Sequence, residues 1–112
     1  MMDIKELKQW VIEHQLEEKT FENFWKVFFL WKEEDQEEFS NTFRLEFKRE
    51  ELYVYTDKVA LTITNWPDED YNHVVVYLEF EYNDVYIGNY RMVFDLQGEI
   101  EDDYFVIHSW VD

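Results

Sequence analysis

The stretch His73–Val111, HVVVYLEFEYNDVYIGNYRMVFDLQGEIEDDYFVIHSWV, decides the fold. It alternates side-chain character with a period of two and is rich in Val, Ile, Tyr and Phe, the residue types that fit a pleated surface. Asn83-Asp84 and Gln97-Gly98 break it at two places, and Asn and Gly accept the positive φ of a tight reversal. Three long antiparallel strands joined by two hairpins follow. In the first, Val74, Val76, Leu78, Phe80 and Tyr82 form the core set, opposite His73, Val75, Tyr77, Glu79 and Glu81. The second places Tyr86, Gly88, Tyr90, Met92 and Phe94 against Val85, Ile87, Asn89, Arg91 and Val93. In the third, Phe105, Ile107, Ser109 and Val111 oppose Tyr104, Val106, His108 and Trp110. Both sides carry apolar residues, so the second face is half-apolar, acidic and aromatic.

Upstream the period changes to that of a helix. Asp3 with Glu6 three residues on is a helix start, and Ile4, Leu7, Val11 and His14 then share one face. This helix is expected to run from about residue 3 to about 15. Thr20 is a cap for a second, carried by Phe21, Phe24, Trp25, Phe28 and Trp31. Val27–Trp31 is apolar at every position, which suits a buried strand as well as a helix; helix through about Glu34 is favoured. Glu33, Glu34, Asp35, Glu37 and Glu38 read as a solvated helix end or loop. Phe43, Leu45 and Phe47 alternate with Arg44, Glu46 and Lys48 as a half-buried strand, and Leu52, Val54, Val59, Leu61 and Ile63 continue the pattern around a turn or bulge at Thr56–Lys58. Trp66–Asn72 is a loop, because Pro67 cannot join a central ladder and three acids follow it. The expected fold is α+β: two N-terminal helices packed on a four- to five-stranded antiparallel, largely meander, twisted sheet. The chain is read as one domain over 1–112, helical over about 3–35 and sheet over about 42–111.

The formal charge of −17 is the compositional outlier. Residues 1–58 hold 15 Asp/Glu against 9 Lys/Arg, a net of −6; residues 59–112 hold 12 against the single Arg91, a net of −11. The sheet-forming half is therefore expected to present a negative potential. Nucleic acid is disfavoured as a direct partner, since phosphate binding needs Lys and Arg, and the same holds for an anionic membrane. The apolar runs are too short to span a bilayer, and a cytoplasmic location is expected. The aromatic content of 21% argues against disorder. With no cysteine, a disulfide framework, a thiolate zinc site and a cysteine nucleophile are excluded.

No motif names a reaction. Ser40 and Ser109 sit in no nucleophile pattern, and two glycines are too few for a phosphate-cradling loop. His73 and His108 lie near strand ends, where a pair with Glu79 or Asp103 would suit a metal or acid–base work, but the spacing is not diagnostic. His14 reads as a packed boundary histidine. Asp68-Glu69-Asp70 and Glu99-Glu101-Asp102-Asp103 offer weak Ca²⁺ binding at most, because the ligand order of a built calcium loop is absent. No cofactor is implied.

The remaining constellation interleaves rings with acids. In the loop it comprises Trp66, Asp68, Glu69, Asp70 and Tyr71; on the strands and their turns it comprises Tyr77, Glu79, Glu81, Asp84, Tyr86, Asp102, Asp103, Tyr104 and Trp110. Tyr and Trp are frequent binding anchors, and carboxylates set orientation and association rate. The expectation is a binding protein rather than an enzyme: a small acidic chain that neutralises a basic protein, in the manner of an immunity protein or antitoxin acting on a bacterial toxin such as a nuclease. A positive nuclease cleft is the natural complement of an anionic plug. Two alternatives stay open. One is a nucleic-acid mimic blocking a defence or DNA-binding protein. The other is a small-ligand binder or minor enzyme with a pocket between sheet and helices, lined by Trp10, Trp25, Phe28 and Tyr90 and served by His73 or His108. A homodimer through an exposed strand edge is also open. The protein-binding readings require the acids of the C-terminal strands to gather on one continuous anionic surface.

Overall fold

The structure, a computed structural model, describes residues 3–43 and 46–108. Three helices precede a four-stranded sheet. Helix α1 spans Ile4–Glu13, α2 Leu16–Glu34 and α3 Gln36–Phe43. A 3₁₀ turn at Arg49–Glu51 then leads into β1 (Leu52–Ile63), β2 (Asn72–Tyr82), β3 (Val85–Phe94) and β4 (Ile100–Ile107). The strands are antiparallel in the order β1-β2-β3-β4, the α+β meander expected from the alternation.

The helical part runs further than expected. Asp3 caps α1 through its Oδ1, which accepts from the Glu6 N–H at 2.8 Å. Thr20 is not a cap: α2 begins at Leu16, after Gln15 in a left-handed conformation, and the Thr20 hydroxyl donates to the Leu16 carbonyl inside the helix. Val27–Trp31 is helical. The acids around Asp35 belong to a helix junction rather than a loop. Asp35 interrupts the helix, and its Oδ1 accepts from the Glu38 N–H at 3.1 Å. Glu37 and Glu38 therefore occupy the first turn of α3, where carboxylates face the positive end of the dipole. Phe43 ends that helix instead of opening a strand, and the sheet starts at Leu52. The strand expected around Phe43–Phe47 fails because Phe39, Phe43 and Phe47 satisfy the core from a helix and its exit. Phe43 and Phe47 both reach Tyr82, at 4.8 and 5.4 Å between ring centroids. Arg44, Leu45, Ser109, Trp110 and Val111 lie outside the described residues.

Leu16, Thr20, Phe24 and Phe28 recur every four residues on α2 and are fully buried against one face of the sheet. Val74, Val76, Leu78, Phe80 and Tyr82 answer them from β2, and Tyr90, Met92 and Phe94 from β3. Phe24 sits 5.2 Å from Phe80, and Phe80 stacks on Phe105 of β4 at 5.7 Å. Gly88 lies where β3 runs against β4; a Cβ there would collide with the Val106 carbonyl. Asn83 and Asp84 both take positive φ, 50° and 66°, as a two-residue hairpin requires. Among the described residues no helix is long and apolar enough to cross a membrane.

Three register shifts interrupt strict alternation, leaving Asp57, Ile87 and Glu101 unpaired in the ladders. Their consequences differ from the period-two reading. Ile87 turns into the core, at 1% exposure, and Tyr86 moves to the outer face opposite Glu81. The Glu101 bulge brings the consecutive acids Glu101 and Asp102 to line the same outer hollow, which uniform alternation forbids.

Candidate binding face

The sheet face turned away from the helices can be read as rows from the registers. The central row is Lys58, Tyr77, Arg91 and Tyr104, one residue from each strand. Cations and rings alternate along it: Lys58 Nζ lies 4.7 Å from the Tyr77 ring centroid and the Arg91 guanidinium 4.8 Å from that of Tyr104. This row divides the face. The single continuous anionic surface expected from the sequence is therefore not formed, because the C-terminal half's lone Arg and Lys58 from β1 meet in the middle of the sheet.

On the hairpin side of the row lie Tyr55, Glu79 and Asn89, then Tyr53, Glu81 and Tyr86. Tyr55 donates to Glu79 Oε2 at 2.9 Å, and that bond, with the carboxylate charge beside it, pushes the phenol up to about 12. His108 stacks on Tyr86 and its Nε2 meets Asn89 Nδ2 at 2.8 Å. Asp84 sits at the hairpin tip, roughly 35 Å from the opposite end by the length of β2.

On the other side, at the end where β1 turns into β2, the surface is more uniformly acidic. Trp66, Asp68, Glu69, Asp70 and Tyr71 lie in that loop, all exposed, Trp66 at 76%. A hollow of about 520 Å³ is lined by Thr62, Thr64, Asn65, Tyr71, His73, Val75, Val93, Glu101, Asp102 and Tyr104. A second, of about 330 Å³, adjoins it through Tyr71, His73 and Glu101 and adds Glu69, Asp70 and Asp95. Among the described residues neither lining holds a Lys or Arg. Tyr104 donates to Asp102 Oδ2 at 2.9 Å, and this hydrogen bond raises the phenol's pKa.

His73 stands between the two hollows. It is 7% exposed, with Tyr71 edge-on to its ring at 4.3 Å. Its Nδ1 lies 2.9 Å from Glu101 Oε2, within ion-pair distance but without hydrogen-bond alignment, so the nitrogen has no aligned partner. The sequence pairing of His73 or His108 with Glu79 or Asp103 is not realised. Six residues of β2 separate His73 from the row of Glu79 and Asn89, about 20 Å of strand. Asp103 faces the helices, where its Oδ2 accepts from the Tyr90 hydroxyl at 2.7 Å. Asn23 donates to that same hydroxyl at 2.6 Å. Burial first, and Asp103 second, raise the Tyr90 pKa. Phe28 and Tyr90 are fully buried in the core, away from both outer-face histidines. Among the described residues no three His, Asp or Glu side chains are placed to share a metal ion.

Of the sequence-nominated residues, the structure brings Glu69, Asp70, Tyr71, Asp102 and Tyr104 together. Tyr77, Glu79 and Glu81 lie on the same face beyond or within the cationic row; Asp84 and Asp103 do not join them. Glu101, Asp95 and His73 belong to the acidic end but were not nominated as partner contacts. Only the bulge, invisible to alternation, aims Glu101 there. Acids outnumber their internal partners: the ion pairs among the described residues are Glu22–Lys26 at 3.7 Å and His73–Glu101. No family model matches the chain, and neither curated proteins nor solved structures give a match.

Proposed function

We propose that this chain is a small acidic binding protein that neutralises a basic protein partner, and that a bacterial toxin such as a nuclease is the partner class that fits it best. The acids do not form the one surface across the sheet that the sequence reading required, so the proposal rests on a smaller patch: Glu69, Asp70, Asp95, Glu101 and Asp102 converge on two adjoining hollows at one sheet end, beside the exposed rings of Tyr71 and Tyr104. Unneutralised carboxylates attract a positive surface during diffusion, and rings beside them supply desolvated contact area once it arrives. A cleft built to hold phosphate has the complementary charge. The mimic alternative asks for an unbroken track of phosphate-like charge, and Lys58 and Arg91 interrupt such a track.

Affinity capture from the source cell, followed by association kinetics on the captured protein, tests this. The partner is expected to be basic, with an association rate that falls steeply as salt is added. Reversing Glu69, Asp70 and Asp102 to Lys is expected to slow association by about 10- to 100-fold. Capture of neutral or acidic proteins alone would overturn the proposal.

A further inference from the structure

We infer that the hollow beside His73 receives an arginine side chain of the partner. This rests on the binding reading above and gives it a specific anchor. The hollow has the layered chemistry such a side chain needs. Val75, 8% exposed, and Val93 line it as an apolar bed for a three-carbon stem. Tyr71 and Tyr104 are both more than two-fifths exposed; Tyr71 offers its ring to a planar cation, while the Tyr104 ring already carries Arg91. Glu101 and Asp102 stand in the same wall because of the β4 bulge. Glu101 Oε2 faces His73 at 2.9 Å, and the Glu101 side chain is one-third exposed.

The second observation is His73 itself. Its Nδ1, in a side chain nine-tenths buried, lines the hollow and reaches Glu101 Oε2 at 2.9 Å without alignment, so the pair is incomplete and the Glu101 carboxylate keeps acceptor capacity for a donor that enters the hollow. An incoming guanidinium on Glu101 and Asp102 supplies the opposite charge at that point. Arginine is favoured over lysine because its flat, weakly hydrated head stacks on rings and forks onto carboxylates, whereas an ammonium is a compact point charge. The molecule already uses this geometry internally: Arg91 lies over Tyr104 and Arg49 over Trp25, the latter at 4.0 Å.

The test titrates Nα-acetyl-arginine amide into the intact protein while NMR reads the His73, Tyr71 and Tyr104 ring signals. Saturable shifts confined to these rings and to Thr62 are expected, with a dissociation constant on the order of millimolar. Nα-acetyl-lysine amide is expected to bind several-fold more weakly, and Glu101→Gln and Asp102→Asn each to weaken the arginine probe about 5- to 10-fold. Unchanged backbone spectra of the two variants show that folding is intact. Shifts spread over all carboxylates, no saturation, or equal binding in Glu101→Gln would overturn the site. The partner separates this inference from the broader reading. A captured basic protein that binds Glu101→Gln as tightly as the parent overturns the arginine site and leaves the acidic-binder reading standing. Saturable probe binding lost in Glu101→Gln supports the site even where capture yields no basic protein.

Discussion

Asp102 and Asp103 are neighbours in sequence and face opposite sides of the sheet. Asp103 turns toward the helices and is tied to Tyr90 and Asn23, joining β3, β4 and α2. Asp102 turns outward, accepts from the Tyr104 hydroxyl and the Asp103 backbone N–H, and otherwise lines an acidic hollow. The same residue type is thus a structural acceptor on one face and surface charge on the other. The inner face is an aromatic lattice in which Thr20, Tyr90 and Asp103 are hydrogen-bonded. The outer face leaves carboxylates without cations, and His73 Nδ1 and Arg91 Nε without aligned partners. Polar groups left open on a well-formed sheet contribute little to folding, which is the physical ground for the proposal that they serve recognition.

The harshest way to probe this division is truncation on each side. Phe80→Ala removes a fully buried ring that contacts Phe24, Phe28 and Phe105, and is expected to cost about 3–5 kcal/mol in urea unfolding. Tyr53→Ala, at a ring 62% exposed, is expected to cost under about 1 kcal/mol. The two aspartates give the next contrast. Asp103→Ala leaves the Tyr90 hydroxyl proton without its acceptor, Asn23 remaining as donor to the oxygen, and is expected to lose about 1–3 kcal/mol. Asp102→Ala is expected to stay within about 0.5 kcal/mol, because water replaces its partner. Equal losses from both would erase the distinction between the faces. Arg91→Met tests the dividing row: losing the contact with Tyr104 is expected to cost about 0.5–1 kcal/mol by denaturation.

Alkaline titration sharpens the comparison through cause rather than size. A tyrosine whose pKa rises on folding holds its proton more tightly in the folded chain. Its stabilisation is complete below about pH 10, the ordinary tyrosine value, and is lost as pH climbs toward about 12 for Tyr55. Tyr55 is held up by its bond to Glu79, Tyr90 first by burial. Tyrosinate absorbance should therefore show one phenol returning toward about pH 10 in Glu79→Gln. The core phenol should stay unionised until the fold is lost.

Much of the fold could be read directly from residue order. Val76 to Tyr82 alternates cleanly because one side of β2 meets the helices and the other does not, whereas His73–Val76 is buried throughout, and Asn83-Asp84 supplies the backbone freedom for the reversal. Phe43–Phe47 misled because apolar residues spaced by two (Phe43, Leu45, Phe47) and rings spaced by four (Phe39, Phe43, Phe47) overlap in so short a run. Which period wins depended on the partner face offered by Phe28 and Tyr82. The candidate site was half legible. The loop acids and Tyr104 follow from composition, but Glu101 and His73 meet through a bulge on one strand and a register on another.

Residue order alone, then, determined the charge, the helix-then-meander plan and the face of β2 that enters the core, since these depend on local periodicity and composition. The tertiary structure decided where the acids go. Bulges at Ile87 and Glu101 and the cross-strand registers arise from packing among distant strands, and they turned a diffuse surplus of carboxylate into an acidic sheet end separated from Glu79 and Glu81 by Lys58 and Arg91.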